Sequence, residues 1–188
     1  MIERLPRATW RLLVATVALA GFGLANDALD APWQELGTLA CLATGLLYLV
    51  LAVVGLVAPE TTWAWPRGAL TTVLVLVGAV HVLFADGGAE QGWPFVQHVV
   101  TPLLLIADLA WAPGRPGRWW WPLTWALLPL AYFVYHRAAD LVVYEALDPF
   151  GANYGPTLVG LFAATLAIGF GAFFLVRLRQ SAYDRDIS

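Results

Sequence analysis

The chain has 188 residues, of which 60% are hydrophobic and 12% charged, with a net charge of −3 and a mean hydropathy of +0.71. Soluble domains carry about 25% charged residues, so these figures exclude a water-soluble globule and a disordered chain. All ten basic residues are arginines and no basic tail is present, which removes the usual footprint of nucleic-acid binding.

Apolar runs of about 20 residues, the length needed to cross a ~30 Å hydrocarbon layer, define six predicted spans: 9–27, 35–58, 67–86, 94–112, 119–140 and 155–177. Their short connections make them antiparallel neighbours in one all-α bundle, a multi-pass protein of the cell membrane with a single helical domain over residues 1–188. Span one follows Arg4, Arg7 and Arg11; its start and the small residues near Ala25 also suit a cleaved leader, and we read it as a span. Arg67 follows the second loop, Arg115 and Arg118 fill the fourth, and Arg177, Arg179 and Arg185 lie after span six or at its end. Nine of ten arginines thus fall on one side, which predicts both termini in the cytoplasm. The opposite loops carry Asp27, Asp30, Asp86, Glu90, Glu145 and Asp148, with Arg137 near them. The ten tryptophans cluster at or near predicted span ends, as an aromatic belt does. Span six spaces Ala163, Ala167 and Gly171 four apart, a stripe expected to pack on a neighbouring helix.

Ionisable residues inside a membrane are costly and mark candidate sites. With spans alternating in direction, Thr38 enters from outside on span two and His98 on span four, while His81 and His136 reach the outer thirds of spans three and five, near Asp140 and Asp86. One outer-leaflet layer therefore holds all three histidines, bordered by Asn26, Asp27, Glu35 and Gln97. Helical spacing gives three polar stripes: Thr38, Cys41, Gly45 and Tyr48 on span two; His98, Thr101, Leu105 and Asp108 on span four; Trp125, Pro129, Tyr132, His136 and Asp140 on span five. Lipid tolerates such groups poorly, so the stripes are expected to meet around an internal cavity open to the outer leaflet. Pro102 cannot donate to the carbonyl of His98, which predicts a kink there. Asp108, about 15 Å deeper, reads as an interfacial residue or a helix-packing partner.

A threonine hydroxyl and a histidine on adjacent helices at equal depth suit a nucleophile and general base for acyl transfer. Cys41, one turn deeper on the stripe of Thr38, is an alternative nucleophile. Two other chemistries stay open: metal binding by His81, His98 and His136 with Asp86 or Asp140, although no compact H-E-x-x-H motif is present, and haem held between two histidines.

The run His98-Val99-Val100-Thr101-Pro102-Leu103-Leu104 followed by Asp108, the segment Pro129-Leu130-Ala131-Tyr132-Phe133-Val134-Tyr135, and the loop Val143-Tyr144-Glu145-Ala146-Leu147-Asp148-Pro149-Phe150 resemble the androgen-induced protein family and its bacterial relatives. The likeness covers roughly residues 34–175. It implies a multi-pass hydrolase of fatty-acid esters of hydroxy fatty acids, with a threonine nucleophile that maps to Thr38 and a histidine that maps to His98. The expectation is therefore an intramembrane lipid-ester hydrolase using Thr38 and His98. His136, His81, Asp140 and Asn26 are candidate orienters or oxyanion donors, and Thr101 and Cys41 are further supporting candidates. No metal or cofactor is required, and the expected partner is a membrane lipid or lipid ester. The alternative is a non-enzymatic protein that binds a lipid or a histidine-ligated cofactor such as haem in the same layer.

Overall fold

The computed structural model describes residues 4–58, 63–84, 92–111, 117–141, 148 and 150–187, and all regular structure among them is helical. Helix α1 (Arg4–Ala28) leads through a short 3-10 turn (Pro32–Gln34) into α2 (Leu36–Val57), followed by α3 (Ala64–Phe84). The next rod is composite: α4 (Trp93–Phe95), a π-helical turn (Val96–Val100) and α5 (Thr101–Trp111). Then come α6 (Trp121–Trp125), α7 (Leu127–Ala138) and α8 (Tyr154–Ile187).

Five of these rods are long and apolar enough to cross a membrane: Pro6–Ala28, Leu36–Val57, Ala64–Leu83, Trp93–Trp111 and Tyr154–Ser181. The fifth predicted span is interrupted at Ala126 between α6 and α7, where the backbone stays in the right-handed helical region and the Ala126 N–H still reaches the Pro122 carbonyl. Pro129 has no N–H, so the carbonyl of Trp125 receives no helical hydrogen bond and the helix is interrupted one residue on. Lipid leaves backbone groups no partner but their own helix, which explains the all-helical outcome for so apolar a chain.

Helices α1 and α2 pack along their length, and α3 is the hub, touching α2, the π turn, α5, α6 and α8. The main core joins Val14 and Ala15 of α1, Ala40, Cys41 and Tyr48 of α2, Val73 and Leu74 of α3 and Leu105 of α5. The outer surface is apolar: Val53, Val57, Leu83, Leu103, Val134 and Phe174 are all exposed. A patch of this kind would be an aggregation hazard in water and is ordinary against lipid.

Two expectations are corrected here. The small stripe of α8 faces outward, with Ala163, Ala167 and Gly171 exposed, while Thr165, Gly169 and Phe173 form the buried face. Gly169 packs beside Pro122 of α6 and Thr72 of α3, so the neighbours' shapes select a stripe offset by two residues with the same spacing of four. Arg11 and Arg67, read as markers of the cytoplasmic surface, are buried at 4% and 0% exposure. Arg115, Asp86, Glu90 and Glu145 lie outside the described residues, as does most of the 143–150 loop.

Candidate functional site

The three polar stripes point inward as their spacing requires: Thr38, Cys41, Gly45 and Tyr48 are buried, as are His98, Thr101, Leu105 and Asp108 and Trp125, Pro129, Tyr132 and His136. The stripes of spans two and four meet in direct contact, Tyr48 on Asp108, instead of around the expected cavity, whereas α6 and α7 pack against α3; Thr38 and Gln97 have no exposure at all.

In the layer that holds Thr38, the side chain of Gln97 donates from Nε2 to Thr38 Oγ1 at 3.2 Å. His98 does not bond the hydroxyl; its ring stacks on that of His81 with centroids 4.0 Å apart and planes 12° from parallel. Trp93 closes on the other residues of this layer, 5.9 Å from the His98 ring. Gly37 is the floor on which both side chains rest: a Cβ there would lie 3.2 Å from Gln97 Oε1 and 3.3 Å from His98 Cε1. Among the described residues, His98 Nδ1, His81 Nε2 and Gln97 Oε1 are buried with no hydrogen-bond partner. Three orphaned polar atoms in one layer are unusual, since nearly all buried polar groups are paired.

The local backbone explains why Gln97 and not His98 meets Thr38. Pro102 offers no N–H to the His98 carbonyl, and the helix responds with a π turn, in which the N–H of Thr101 reaches the carbonyl of Val96. The Thr101 hydroxyl bonds the same carbonyl at 2.8 Å. The freed His98 carbonyl packs on Gly78 of α3, where any Cβ would collide with it. A π turn accommodates one residue more than the α-helix it interrupts, so residues before it are turned by one position relative to those after it.

The other expected site residues divide. His81 and His98 share one depth, as their stack requires. Cys41 is fully buried, with its Sγ 3.8 Å from the Cβ position of Gly21. His136 is buried beside Tyr132, 5.9 Å between rings; no hydrogen bond or ring contact joins it to Thr38 or His98. Asn26 and Asp140 do not join the site. Asn26 sits on the exposed side of α1, out of phase with buried Ala25. Asp140 lies beyond the end of α7 in a left-handed conformation (φ 46°) and is 66% exposed, paired with Arg137 at 2.8 Å.

A second polar centre lies at the other end of the bundle. Arg67 donates to Asp108 Oδ2 from Nε at 2.8 Å and from Nη2 at 2.6 Å. Tyr48 donates to the same oxygen at 2.6 Å and Trp10 Nε1 to Asp108 Oδ1 at 3.1 Å. Arg11 donates to the Leu51 carbonyl at 2.8 Å. Helices α1, α2 and α3 are thus pinned to one carboxylate of α5, and Asp108 is a helix-packing partner. Only the presence of Asp108 and Tyr48 on inward stripes hinted at this; Arg67 and Gln97 were missed as core residues.

Imidazoles that share a haem iron approach it edge-on from opposite faces, whereas His81 and His98 lie face to face in contact. No group of three His, Cys, Asp or Glu side chains that could hold a metal ion occurs among the described residues; Asp86, one of the expected metal ligands, lies outside the described residues. What the layer does hold is a hydroxyl, an amide and an imidazole, the elements of a nucleophile, a hydrogen-bond donor and a base. No family model, curated protein or solved structure matches the chain.

Proposed function

We propose that the chain is an integral-membrane hydrolase of lipid esters, of the kind that cleaves fatty-acid esters of hydroxy fatty acids, with Thr38 as nucleophile and His98 as general base. The observation that carries this reading is a fully buried threonine hydroxyl in one layer with an imidazole whose Nδ1 has no partner among the described residues. The resemblance of the His98–Pro102 segment to the androgen-induced protein family supports it.

In the resting packing Gln97 holds the hydroxyl. For catalysis His98 must replace Gln97 at the Thr38 hydroxyl, which takes a rotation of the segment before Thr101 by one position. Oγ1 of Thr38 then attacks the ester carbonyl carbon as its proton passes to His98. Collapse of the tetrahedral intermediate breaks the bond to the alcohol oxygen, which leaves with the proton from His98. Water, deprotonated by His98, attacks the acyl-threonine; collapse frees the fatty acid and Thr38 recovers its proton. The substrate enters from the outer leaflet of the cell membrane, with both termini cytoplasmic, a placement that rests on Arg4, Arg7, Arg115, Arg118, Arg177, Arg179 and Arg185.

The test is cleavage of a branched fatty-acid ester by the purified protein, with labelling by a fluorophosphonate probe mapped to a residue. Thr38→Ala and His98→Ala should each abolish turnover, Thr38→Ser should retain part of it, and the label should sit on Thr38. Undiminished cleavage by Thr38→Ala overturns the assignment.

A further inference from the structure

At the end of the bundle opposite Thr38, two exposed arginines flank the packing of α6 on α8. Trp121 of α6 packs on the core cluster that contains Phe173 of α8. Arg177, one turn beyond Phe173, holds its guanidinium carbon 5.9 Å from that ring. Arg118, whose carbonyl accepts the Trp121 N–H at 2.9 Å, lies 5.7 Å from the Trp120 ring. A cation over an aromatic face is positioned without being neutralised. Neither arginine belongs to an ion pair among the described residues, and Asp108 is already held by Arg67. Asp184, the next acid along α8, follows Arg177 by two turns, about 10 Å along the axis. The surroundings belong to the edge of the hydrocarbon. Arg177 lies near the end of the apolar stretch Tyr154–Ser181, and Trp119, Leu123, Phe174 and Leu178 are exposed around the two arginines. Tryptophan at such a level sits among the lipid headgroups.

We infer that Arg118 and Arg177 form a surface site for the headgroup of an anionic phospholipid, whose phosphate oxygens accept N–H groups from both guanidiniums while its acyl chains lie along Leu123 and Phe174. The planar fork of a guanidinium matches the oxygens of a phosphate. Both side chains are on the open surface, so the lipid reaches them from the bilayer without entering the bundle. A zwitterionic lipid carries its own ammonium beside the phosphate, which offsets the gain. Two arginines without a paired acid therefore select a headgroup of net negative charge. The site is separate from the Thr38 layer and does not depend on the hydrolase reading.

The experiment is native mass spectrometry of the full chain released from detergent micelles, with phosphatidylglycerol and phosphatidylcholine of identical acyl chains competing at equal concentration. Phosphatidylglycerol should be preferred roughly 25-fold, about fivefold for each arginine at the headgroup. Arg118→Gln and Arg177→Gln should each reduce the preference about fivefold, and the double variant should abolish it. An unchanged thermal midpoint verifies that these surface variants keep the fold. Arg179→Gln removes the same charge about 200° round α8 and should leave the preference intact, as should Arg137→Gln at the opposite end. Glycerol phosphate, a headgroup without chains, should fail to displace the lipid; displacement identifies a site for free phosphate and overturns the lipid assignment. Equal binding of the two lipids, or a loss with Arg179→Gln as large as with Arg177→Gln, overturns the site.

Discussion

Arg67 and Asp108, 41 positions apart, form an ion pair at 2.6 Å in which neither side chain is more than 1% exposed. Taking two charges out of solvent is costly, and their attraction repays it only when geometry and further hydrogen bonds are good. Tyr48 and Trp10 provide those bonds. Removing one partner strands the other, so Asp108→Asn and Arg67→Met should each cost about 3–5 kcal/mol of stability. The double variant Arg67→Met/Asp108→Leu should recover much of that loss. Thermal unfolding in detergent, with all three variants side by side, checks this; equal damage from the double and single variants would contradict it.

Replacing Pro102 by alanine restores the missing N–H and removes the reason for the π turn. The segment should relax to an α-helix, turning residues before Thr101 by about 100° per inserted position. In a Cys41→Ala background, oxidative cross-linking of Thr38→Cys with Gln97→Cys should be efficient when Pro102 is present. Pro102→Ala should shift the preferred partner of Thr38→Cys to His98→Cys. An unchanged cross-linking pattern would mean that the turn does not depend on the proline.

Gly78 meets the His98 carbonyl so closely that an added Cβ collides with backbone, whereas at Gly23 nothing lies within 4 Å. Gly78→Ala should destabilise by about 1–3 kcal/mol through overpacking. Gly23→Ala should be neutral or gain up to ~1 kcal/mol from helix propensity. The two midpoints, measured together, separate close packing from propensity.

Glu35 precedes α2, and burial pushes its carboxyl above the usual range. The folded protein therefore prefers the protonated form. Stability from this group is full below the unfolded value of about 4.3 and is lost as pH rises through the higher folded value. Glu35→Gln should consequently raise the thermal midpoint at pH 8, with the advantage disappearing toward pH 4. A benefit that is constant across that range would rule out this cause.

The inward stripes were legible because their period depends only on helix geometry, and every member but Asp140 is buried; Asp140 lies past the end of its helix, where the period no longer applies. The partner of Thr38 was not legible. An unbroken α-helix aims His98 at it, and the single inserted position of the π turn substitutes Gln97. Pro102 signalled a disturbance but not its form. Arg67 was read as a surface marker because counting arginines near span ends takes no account of an acid on another helix. The interruption of span five follows from Pro129, whose effect on the Trp125 carbonyl was overlooked within a long apolar run.

Helix α8 runs for 34 residues, about 51 Å at ~1.5 Å per residue, against a hydrocarbon layer of ~30 Å. Roughly 20 Å of it must project beyond the hydrocarbon or be taken up by tilt. A helical fusion partner continued in register from Ile187 would join the bundle without a swivel, giving single-particle imaging a fixed landmark on an otherwise lipid-clad molecule.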